Sequence, residues 1–341
     1  MTVEQFSKIW EQLEKNSQYT DNEGILSIRI FPESIFDFFL GVQHPKKERI
    51  FMLRIKKENI INQYSLPRSK GFDIKQVILP EDQGQFATIQ LVLNDFRYQE
   101  IFTRVTEDIA DHSSTKSSEK EMLNALFSRL AMWQQFLDRY GAEGLSPNAQ
   151  TGLFGELKFL KDYLLPAVGS IKAVSAWTGP NKKQQDFQIS NIAIEIKTST
   201  AKQHQKVTIA NEQQLDDTGL RALYMYHLSI REIQNSGITL PEIIDKLRSE
   251  ISEDSKALSL FENFLIQAGY LNEQREKYET TGYIDRKEQI FHIRDNFPRI
   301  TERDLIEGVG DVQYSVNIST CIPFNIDEIT FREELERCRN D

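Results

Sequence analysis

The chain has 341 residues and a formal net charge of −10, from 41 lysines and arginines against 51 aspartates and glutamates. This length is sufficient for two domains, and the acidic balance means that the average electrostatic field does not favour a polyanionic partner. The sequence contains neither a run of 18 apolar residues nor a basic-then-apolar leader pattern, so we expect a cytoplasmic protein without a membrane partner.

Residues 1–115 are predicted to form a β-rich N-terminal domain that serves recognition or partner binding. A short helix is indicated around residues 3–13. Apolar alternation, uninterrupted by a long helical pattern, then predicts strands at residues 26–31, 36–42, 50–55, 72–79, 86–93 and 98–105. The serine-rich segment 111–118 is nearly free of apolar residues and is the best candidate for a linker.

Residues 116–341 are predicted to form a second domain of the α/β (α+β) class, with a mixed sheet flanked by helices. An amphipathic helix follows the linker and ends at Gly141. Ser146 and Pro147 provide an N-cap and a first-turn proline for a helix that continues to Pro166. Further strands are predicted at residues 207–209, 223–230 and 312–318, and further helices at residues 241–250 and 256–268.

A hairpin between residues 186 and 198 is the most informative feature of the chain. Apolar and polar residues alternate on both sides of the two-residue turn Ser190-Asn191. Pairing residue 189 with residue 192 across this turn places Asp186 opposite Glu195, and like charges in that arrangement repel each other. Because side chains alternate between the faces of a strand, Lys197 shares the face of Glu195, whereas the isoleucines of the second strand should pack against a core.

Two opposed carboxylates indicate that a divalent cation lies between them. Magnesium is the natural candidate because it prefers carboxylate oxygens and water, and manganese can substitute for it. A bound Mg²⁺ can lower the pKa of a water ligand and so produce a nucleophile, while Lys197 stabilises negative charge on a phosphoryl group. The sequence therefore predicts a metal site at Asp186 and Glu195 that hydrolyses phosphodiester bonds.

At these positions the sequence resembles the PD-(D/E)XK nuclease superfamily. In that superfamily an Asp begins the hairpin, a (D/E)-x-K triplet lies on the next strand, and an acidic residue often lies on a preceding helix. The matching residues are Asp186, Glu195, Lys197 and Glu156, whereas Gln185 replaces the proline that usually precedes the Asp. Residues 152–215 look most like the PD-(D/E)XK-motif proteins of bacterial restriction and defence gene clusters.

The resemblance implies a restriction-endonuclease-like core, a Mg²⁺-dependent endodeoxyribonuclease activity on DNA, and a role in a restriction-like defence system. The protein partners it implies are a methyltransferase or ATPase subunit of such a system and a second copy of the chain. A partner would have to supply any ATP-dependent step, because the sequence contains no phosphate-cradling loop of the ATPase type. In several branches of the superfamily a glutamine that opens the next helix supports the active site. Gln213 is similarly placed, with the adjacent Gln214 as the alternative.

Local charge supports a nucleic-acid-binding role for the region around the hairpin. Residues 172–210 contain six lysines but only two acidic residues, Asp186 and Glu195. Such an excess suits a phosphate-binding surface, since phosphate contacts supply much of the affinity for nucleic acid. An ordinary solvated lysine face is the alternative. The candidate contacts are Lys182, Lys183, Ser199, Lys202 and Lys206.

An acid two residues before a lysine is not specific by itself, because further triplets of this kind begin at Asp73, Glu156, Asp254 and Asp285. Of these, only the triplet at Asp73 opens a strand-like segment, and no hairpin register joins it to an upstream acid. The simplest alternative for the hairpin is an amphipathic strand with a solvated face. Two other functions also stay open, namely a non-catalytic nucleic-acid-binding or assembly subunit that keeps the nuclease fold, and a protein-interaction adaptor that acts through the β-rich domain.

Overall fold

The computed structural model describes residues 1–16, 24–60, 69–78, 84–181 and 183–339. Packing divides the chain into two compact units, Met1–Glu143 and Gly144–Asp341. Lys182 and the last residue of the strand predicted at 72–79 lie outside the described residues. In the part of the chain that is described, no helix is long and apolar enough to cross a membrane.

The first unit contains a sheet whose strands closely match five of the predicted ones. These strands are β1 (Gly24–Ile30), β2 (Asp37–His44), β3 (Glu48–Lys56), β4 (Phe72–Val77) and β5 (Phe86–Leu93). They form an antiparallel sheet with the order β1-β2-β3-β5-β4. Phe38, Phe51 and Leu91 are fully buried, and burial of such side chains is the physical origin of the apolar pattern in the sequence.

Three helices also belong to the first unit: α1 (Val3–Asn16), α2 (Gln99–Ser114) and α3 (Glu119–Arg139). The prediction of a strand at residues 98–105 is wrong, because α2 begins at Gln99 and covers the rest of this segment. Phe102, Val105 and Ile109 are buried at helical spacing. A window that ends at residue 105 contains only two turns of helix, which is too short to distinguish this spacing from that of a strand.

The segment predicted to be a linker, residues 111–118, comprises the end of α2 and a short connection to α3. Asp108 of α2 accepts hydrogen bonds from Arg129 at 2.6 and 2.7 Å and from Nε1 of Trp133 at 2.8 Å. These contacts attach α3 to the first unit. The first compact unit therefore includes α3 and extends to Glu143.

The second unit is a mixed sheet with helices. Its strands are β6 (Phe187–Ile189), β7 (Ile192–Ser199), β8 (Lys206–Ile209), β9 (Ala222–Gln234), β10 (Ile238–Thr239), β11 (Thr281–Ile293), β12 (Tyr314–Asn317) and β13 (Asn325–Ile326). Its helices are α4 (Pro147–Phe159), α5 (Leu165–Val168), α6 (Ser170–Ala176), α7 (Leu240–Ile251), α8 (Ser255–Ala268), α9 (Ile318–Cys321) and α10 (Glu328–Arg337). A π-helical turn, Leu160–Leu164, joins α4 to α5.

The main sheet has the order β10-β11-β9-β7-β6, with β13 beside β11, and β8 and β12 form a separate two-stranded ribbon. Strands β7 and β9 are parallel, whereas the other neighbours are antiparallel. The chain is therefore of the mixed α/β class. The predicted N-cap at Ser146 is confirmed, because its side chain accepts a hydrogen bond from the N–H of Ala149.

Strand β11 has no counterpart among the predicted strands. Its middle, residues 284–288, is exposed and carries four charged side chains, and its register against β9 shifts between Asp285 and Lys287. A strand that is charged and irregular at its centre shows no period-two apolar pattern. Pairing with β9 along most of its length holds this segment in the sheet.

Both faces of the sheet around β7 are packed, although the sequence predicted packing on one face only. On the face of Ile194, the rings of Phe159 in α4 and Phe187 in β6 lie 5.1 Å apart. On the opposite face, Ala193 and Met225 pack in one cluster with side chains of the β8–β12 ribbon. The side of β7 that carries Glu195 is therefore partly interior, because this ribbon covers it.

Candidate active site

The β6–β7 hairpin has the predicted register, with Ile189 opposite Ile192 and Phe187 opposite Ile194. Asp186 directly precedes Phe187 at the start of β6, and Glu195 directly follows Ile194 on β7. Oδ2 of Asp186 accepts a hydrogen bond of 2.7 Å from the backbone N–H of Ile196. This bond fixes the Asp186 carboxylate against β7.

The carboxylate of Glu195 is buried, with 1 % of the side chain exposed. Its Oε1 lies 2.7 Å from Nζ of Lys197, whereas its Oε2 has no hydrogen-bond partner among the described residues. A buried carboxylate oxygen without a donor is costly in free energy. Glu195 thus has one oxygen left for a ligand that the protein itself does not supply.

Glu156 of α4 brings a third carboxylate to the same place. Its Oε2 accepts a hydrogen bond of 2.7 Å from Nε1 of Trp177. Gly179 marks the space between this carboxylate and that of Asp186, because a Cβ there would lie 2.9 Å from Oε2 of Glu156 and 3.1 Å from Oδ1 of Asp186. Any side chain at position 179 would therefore crowd both carboxylates. Nothing in the sequence distinguishes Gly179, which lies in the segment Thr178-Gly179-Pro180.

Burial raises the pKa values of all three carboxyl groups, and repulsion from Asp186 raises those of the two glutamates further. Burial, the largest cause, and repulsion from Asp186 together raise the pKa of Glu195 to about 8 against the attraction of Lys197. Burial followed by repulsion from Asp186 raises the pKa of Glu156 well above its ordinary value. Burial also raises the pKa of Asp186, although Lys197 and the N–H of Ile196 oppose that shift. Each group is costly to ionise without an additional positive charge.

Lys197 is the cation closest to this cluster, and only 14 % of its side chain is exposed. Burial alone would lower its pKa, but the negative charges of Glu195 and Asp186 outweigh burial, so the pKa of Lys197 lies above its ordinary value. The amine therefore stays protonated at neutral pH. A protonated lysine can donate hydrogen bonds and stabilise negative charge, but it cannot accept a proton.

The glutamine that contacts Lys197 is Gln214, not the predicted Gln213. Oε1 of Gln214 lies 3.2 Å from Nζ of Lys197 and also accepts a hydrogen bond of 2.7 Å from the N–H of Ala210. The exposed Gln213 accepts instead from Nε2 of Gln184 at 3.3 Å. The turn that begins at Asn211 sets which of the two glutamines faces inward, and adjacent identical residues offer no signal for this choice.

Ser199 is not presented to a phosphate as the sequence analysis expected. It is buried, and its Oγ lies 2.8 Å from Nε2 of His227 on the neighbouring strand β9. Burial lowers the pKa of His227 to about 4, so this ring is neutral at physiological pH. Ser199 shares a segment of sequence with the exposed lysines, but β7 directs its side chain inward.

Three of the four predicted lysine contacts are described, and all three, Lys183, Lys202 and Lys206, are exposed. No ion-pair partner of theirs is found among the residues that the structure describes. Lys202 lies in the connection between β7 and β8, and Lys206 begins β8. Their charges are therefore free to contact a polyanion.

The residues of this cluster fit a hard divalent cation. Over the described ranges, no group of three or more His, Cys, Asp and Glu side chains is already arranged to hold a metal ion. Magnesium does not require such a cage, since one or two carboxylates, several waters and substrate phosphates commonly hold it. The unpartnered Oε2 of Glu195 and the space that a side chain at Gly179 would fill meet that smaller requirement. A cation would also relieve the repulsion that raises the carboxyl pKa values.

Comparison with known proteins gives one match. Residues 6–319 match the sequence profile of a family described as "Putative PD-(D/E)XK family member, (DUF4420)". No curated protein matches the chain, and no solved structure matches it.

Proposed function

Because the chain belongs to the DUF4420 family of PD-(D/E)XK proteins, we propose that it is a metal-dependent nuclease that hydrolyses phosphodiester bonds of DNA. The observation that carries this proposal is the cluster of Asp186, Lys197 and the buried Glu195, in which one oxygen of Glu195 has no partner among the described residues. We further propose that the second unit has a restriction-endonuclease-like core. In that arrangement β7 carries both the second acid and the lysine.

Asp186 and Glu195 would hold a Mg²⁺ ion, or Mn²⁺ in its place, and the bound metal would supply a water of lowered pKa as the nucleophile. Glu156 lies near enough to Asp186 to act directly or through a water. Its hydrogen bond from Trp177 holds its carboxylate in place on α4.

Lys197 acts as a donor in this proposal. Its amine is protonated because the adjacent carboxylates raise its pKa. It therefore stabilises the negative charge that develops on the phosphoryl oxygens and does not remove a proton from water. Gln214 orients the amine from the other side through its Oε1.

The biological context proposed here is a restriction-like defence system. The resemblance to proteins of such systems supports this context, and it also suggests a methyltransferase or ATPase subunit, or a second copy of the chain, as a partner. Recognition or partner binding is proposed for residues 1–115, the predicted β-rich N-terminal domain, which include the sheet of the first unit.

The direct test is cleavage of supercoiled plasmid, linear duplex and single-stranded DNA by the purified protein. We expect cleavage in Mg²⁺ or Mn²⁺ and none in excess EDTA, because the carboxylates cannot generate the nucleophile alone. An RNA substrate of the same sequence establishes the preference for DNA. Binding of DNA without cleavage in any metal would instead support the alternative of a non-catalytic nucleic-acid-binding subunit.

A second experiment locates the nucleic-acid-binding surface. Replacing Lys183, Lys202 and Lys206 together by alanine should weaken DNA binding and lower the slope of log K against log salt by nearly one unit per lost phosphate contact. Fluorescence anisotropy over a series of NaCl concentrations measures this slope.

The matched control removes the same charge from the first unit, at the exposed residues Lys46, Lys47 and Lys75. This control should leave the slope nearly unchanged. A larger effect in the control than in the Lys183, Lys202 and Lys206 variant would assign DNA binding to the first unit and contradict the proposed surface.

A further inference from the structure

Gln185, which directly precedes Asp186, is almost fully buried, with 2 % of its surface exposed. Its Nε2 donates to two successive backbone carbonyls, that of Gln213 at 3.0 Å and that of Gln214 at 3.4 Å. Its Oε1 accepts a hydrogen bond of 2.9 Å from Nε2 of Gln188. Because carbonyl oxygens only accept hydrogen bonds, the orientation of this amide is determined by its partners.

The backbone segment that Gln185 holds also carries the side chain that contacts Lys197. Oε1 of Gln214 accepts hydrogen bonds from Lys197 and from the N–H of Ala210. The N–H of Gln214 donates to Oδ1 of Asn211 at 3.2 Å. The position of the Gln214 side-chain amide therefore depends on the backbone at residues 213 and 214. The hydrogen bonds from Gln185 hold that backbone.

We propose that Gln185 is a positioning residue that sets the location of the Lys197 amine relative to the Asp186 carboxylate. It is covalently joined to Asp186, and two hydrogen bonds join it to the segment that holds Lys197 through Gln214. A proline at this position has no side-chain donor and could not form this link. The kinetic consequence rests on the proposed nuclease function, whereas the link itself belongs to the metal-free protein.

The kinetic test is a double-mutant cycle between Gln185→Met and Gln214→Met. Each substitution should lower kcat by about 10- to 100-fold, as is typical for residues that orient a catalytic group. The KM for DNA and the affinity for Mn²⁺ should stay unchanged, because neither glutamine is proposed to touch DNA or the metal. If both act through Lys197, the double variant should be no slower than the slower single variant.

The matched control is Gln184→Met, at the neighbouring exposed residue whose side-chain amide donates a hydrogen bond to the side chain of Gln213. It should leave kcat unchanged. Multiplicative effects in the double variant, or a weaker Mn²⁺ affinity in Gln185→Met, would show that Gln185 has only a general structural role and would overturn the proposal.

Hydrogen exchange in metal-free protein tests the link without any activity. In Gln185→Met the amide of Ala210 should exchange about tenfold faster or more, because its acceptor on Gln214 is no longer held. The amide of Ile196, which Asp186 binds, should exchange at its original rate. Gln185→Leu, which also removes the Nε2 donors and adds no charge, replaces Gln185→Met if that variant does not fold.

Unchanged exchange at Ala210 in the variant would overturn the link. A wild-type protein that never cleaves DNA would contradict the proposed function but not the exchange result. The two failures are therefore distinguishable.

Discussion

Replacing Lys197 by methionine is expected to lower the rate of Mg²⁺-dependent DNA cleavage by about 100- to 1,000-fold, which is the usual cost of removing one donor that stabilises transition-state charge. Methionine keeps the length of the aliphatic stem but removes the amine that lies 2.7 Å from Glu195 and 3.2 Å from Gln214. Single-turnover cleavage with enzyme in excess over labelled duplex measures this effect, because it excludes product release.

The reduction should appear in the chemical step and not in DNA affinity, since Lys197 is largely buried and the exposed lysines supply the proposed phosphate contacts. Lys75→Met is the matched control, because Lys75 completes the Asp73-Ile74-Lys75 triplet on β4 and is exposed. That variant should cleave at the wild-type rate. Undiminished cleavage by Lys197→Met would mean that another site performs the reaction.

Local sequence was sufficient to predict the hairpin of the candidate site. Its register depends on a two-residue turn and a period-two pattern, both of which are set by neighbouring residues. The adjacency of Asp186, Glu195 and Lys197 follows from that register alone. The helix N-cap at Ser146 is equally local, and the helix that begins there carries Glu156.

The parts of the site that sequence reasoning missed depend on long-range packing. The inward turn of Gln214 and the burial of Ser199 are set by strands and turns that are distant in sequence. The space beside Gly179 depends on where α4 and β6 meet. A single sequence contains no periodic signal for such contacts, because the pattern of one segment does not reveal which other segment covers it.

The burial of Glu195 has the same origin. The alternating pattern of β7 predicts packing on one face of the strand only. The face that carries Glu195 is covered by the two-stranded ribbon of residues 206–209 and 314–317. Those two segments are about 100 residues apart in the chain. The sequence pattern therefore predicts where the charges lie but not the low-dielectric surroundings that raise the carboxyl pKa values.

These raised pKa values make the metal-free protein less stable as the pH rises. An unfolded glutamate releases its proton near pH 4.5, whereas folded Glu195 keeps its proton up to about pH 8. Between these values the folded state binds more protons than the unfolded state, so the free energy of unfolding falls with increasing pH. Each such group changes this free energy by about 1.4 kcal/mol per pH unit within its window.

Glu156→Gln should remove one of these groups. The substituted amide can still accept the hydrogen bond from Trp177 through its oxygen, but it carries no charge and cannot repel Asp186. In EDTA the free energy of unfolding of the variant should fall less with increasing pH than that of the wild type, so the variant should be the more stable protein near pH 7. Urea denaturation followed by circular dichroism at a series of pH values measures the difference. Glu253→Gln, at an exposed residue that follows α7, serves as the control.

The effect of Mg²⁺ on the stabilities of the wild type and the Glu156→Gln variant should show whether Glu156 binds the metal directly or through water. Protons and metal compete for the same carboxylates, so the stabilisation of the wild type by Mg²⁺ should increase from pH 5 to pH 8. If Glu156 acts on the metal only through water, the variant should retain most of that stabilisation, since Asp186 and Glu195 are intact. If it binds the metal directly, the variant should lose most of it. An identical pH dependence in wild type and variant without metal would show that Glu156 is not the group that keeps its proton on folding.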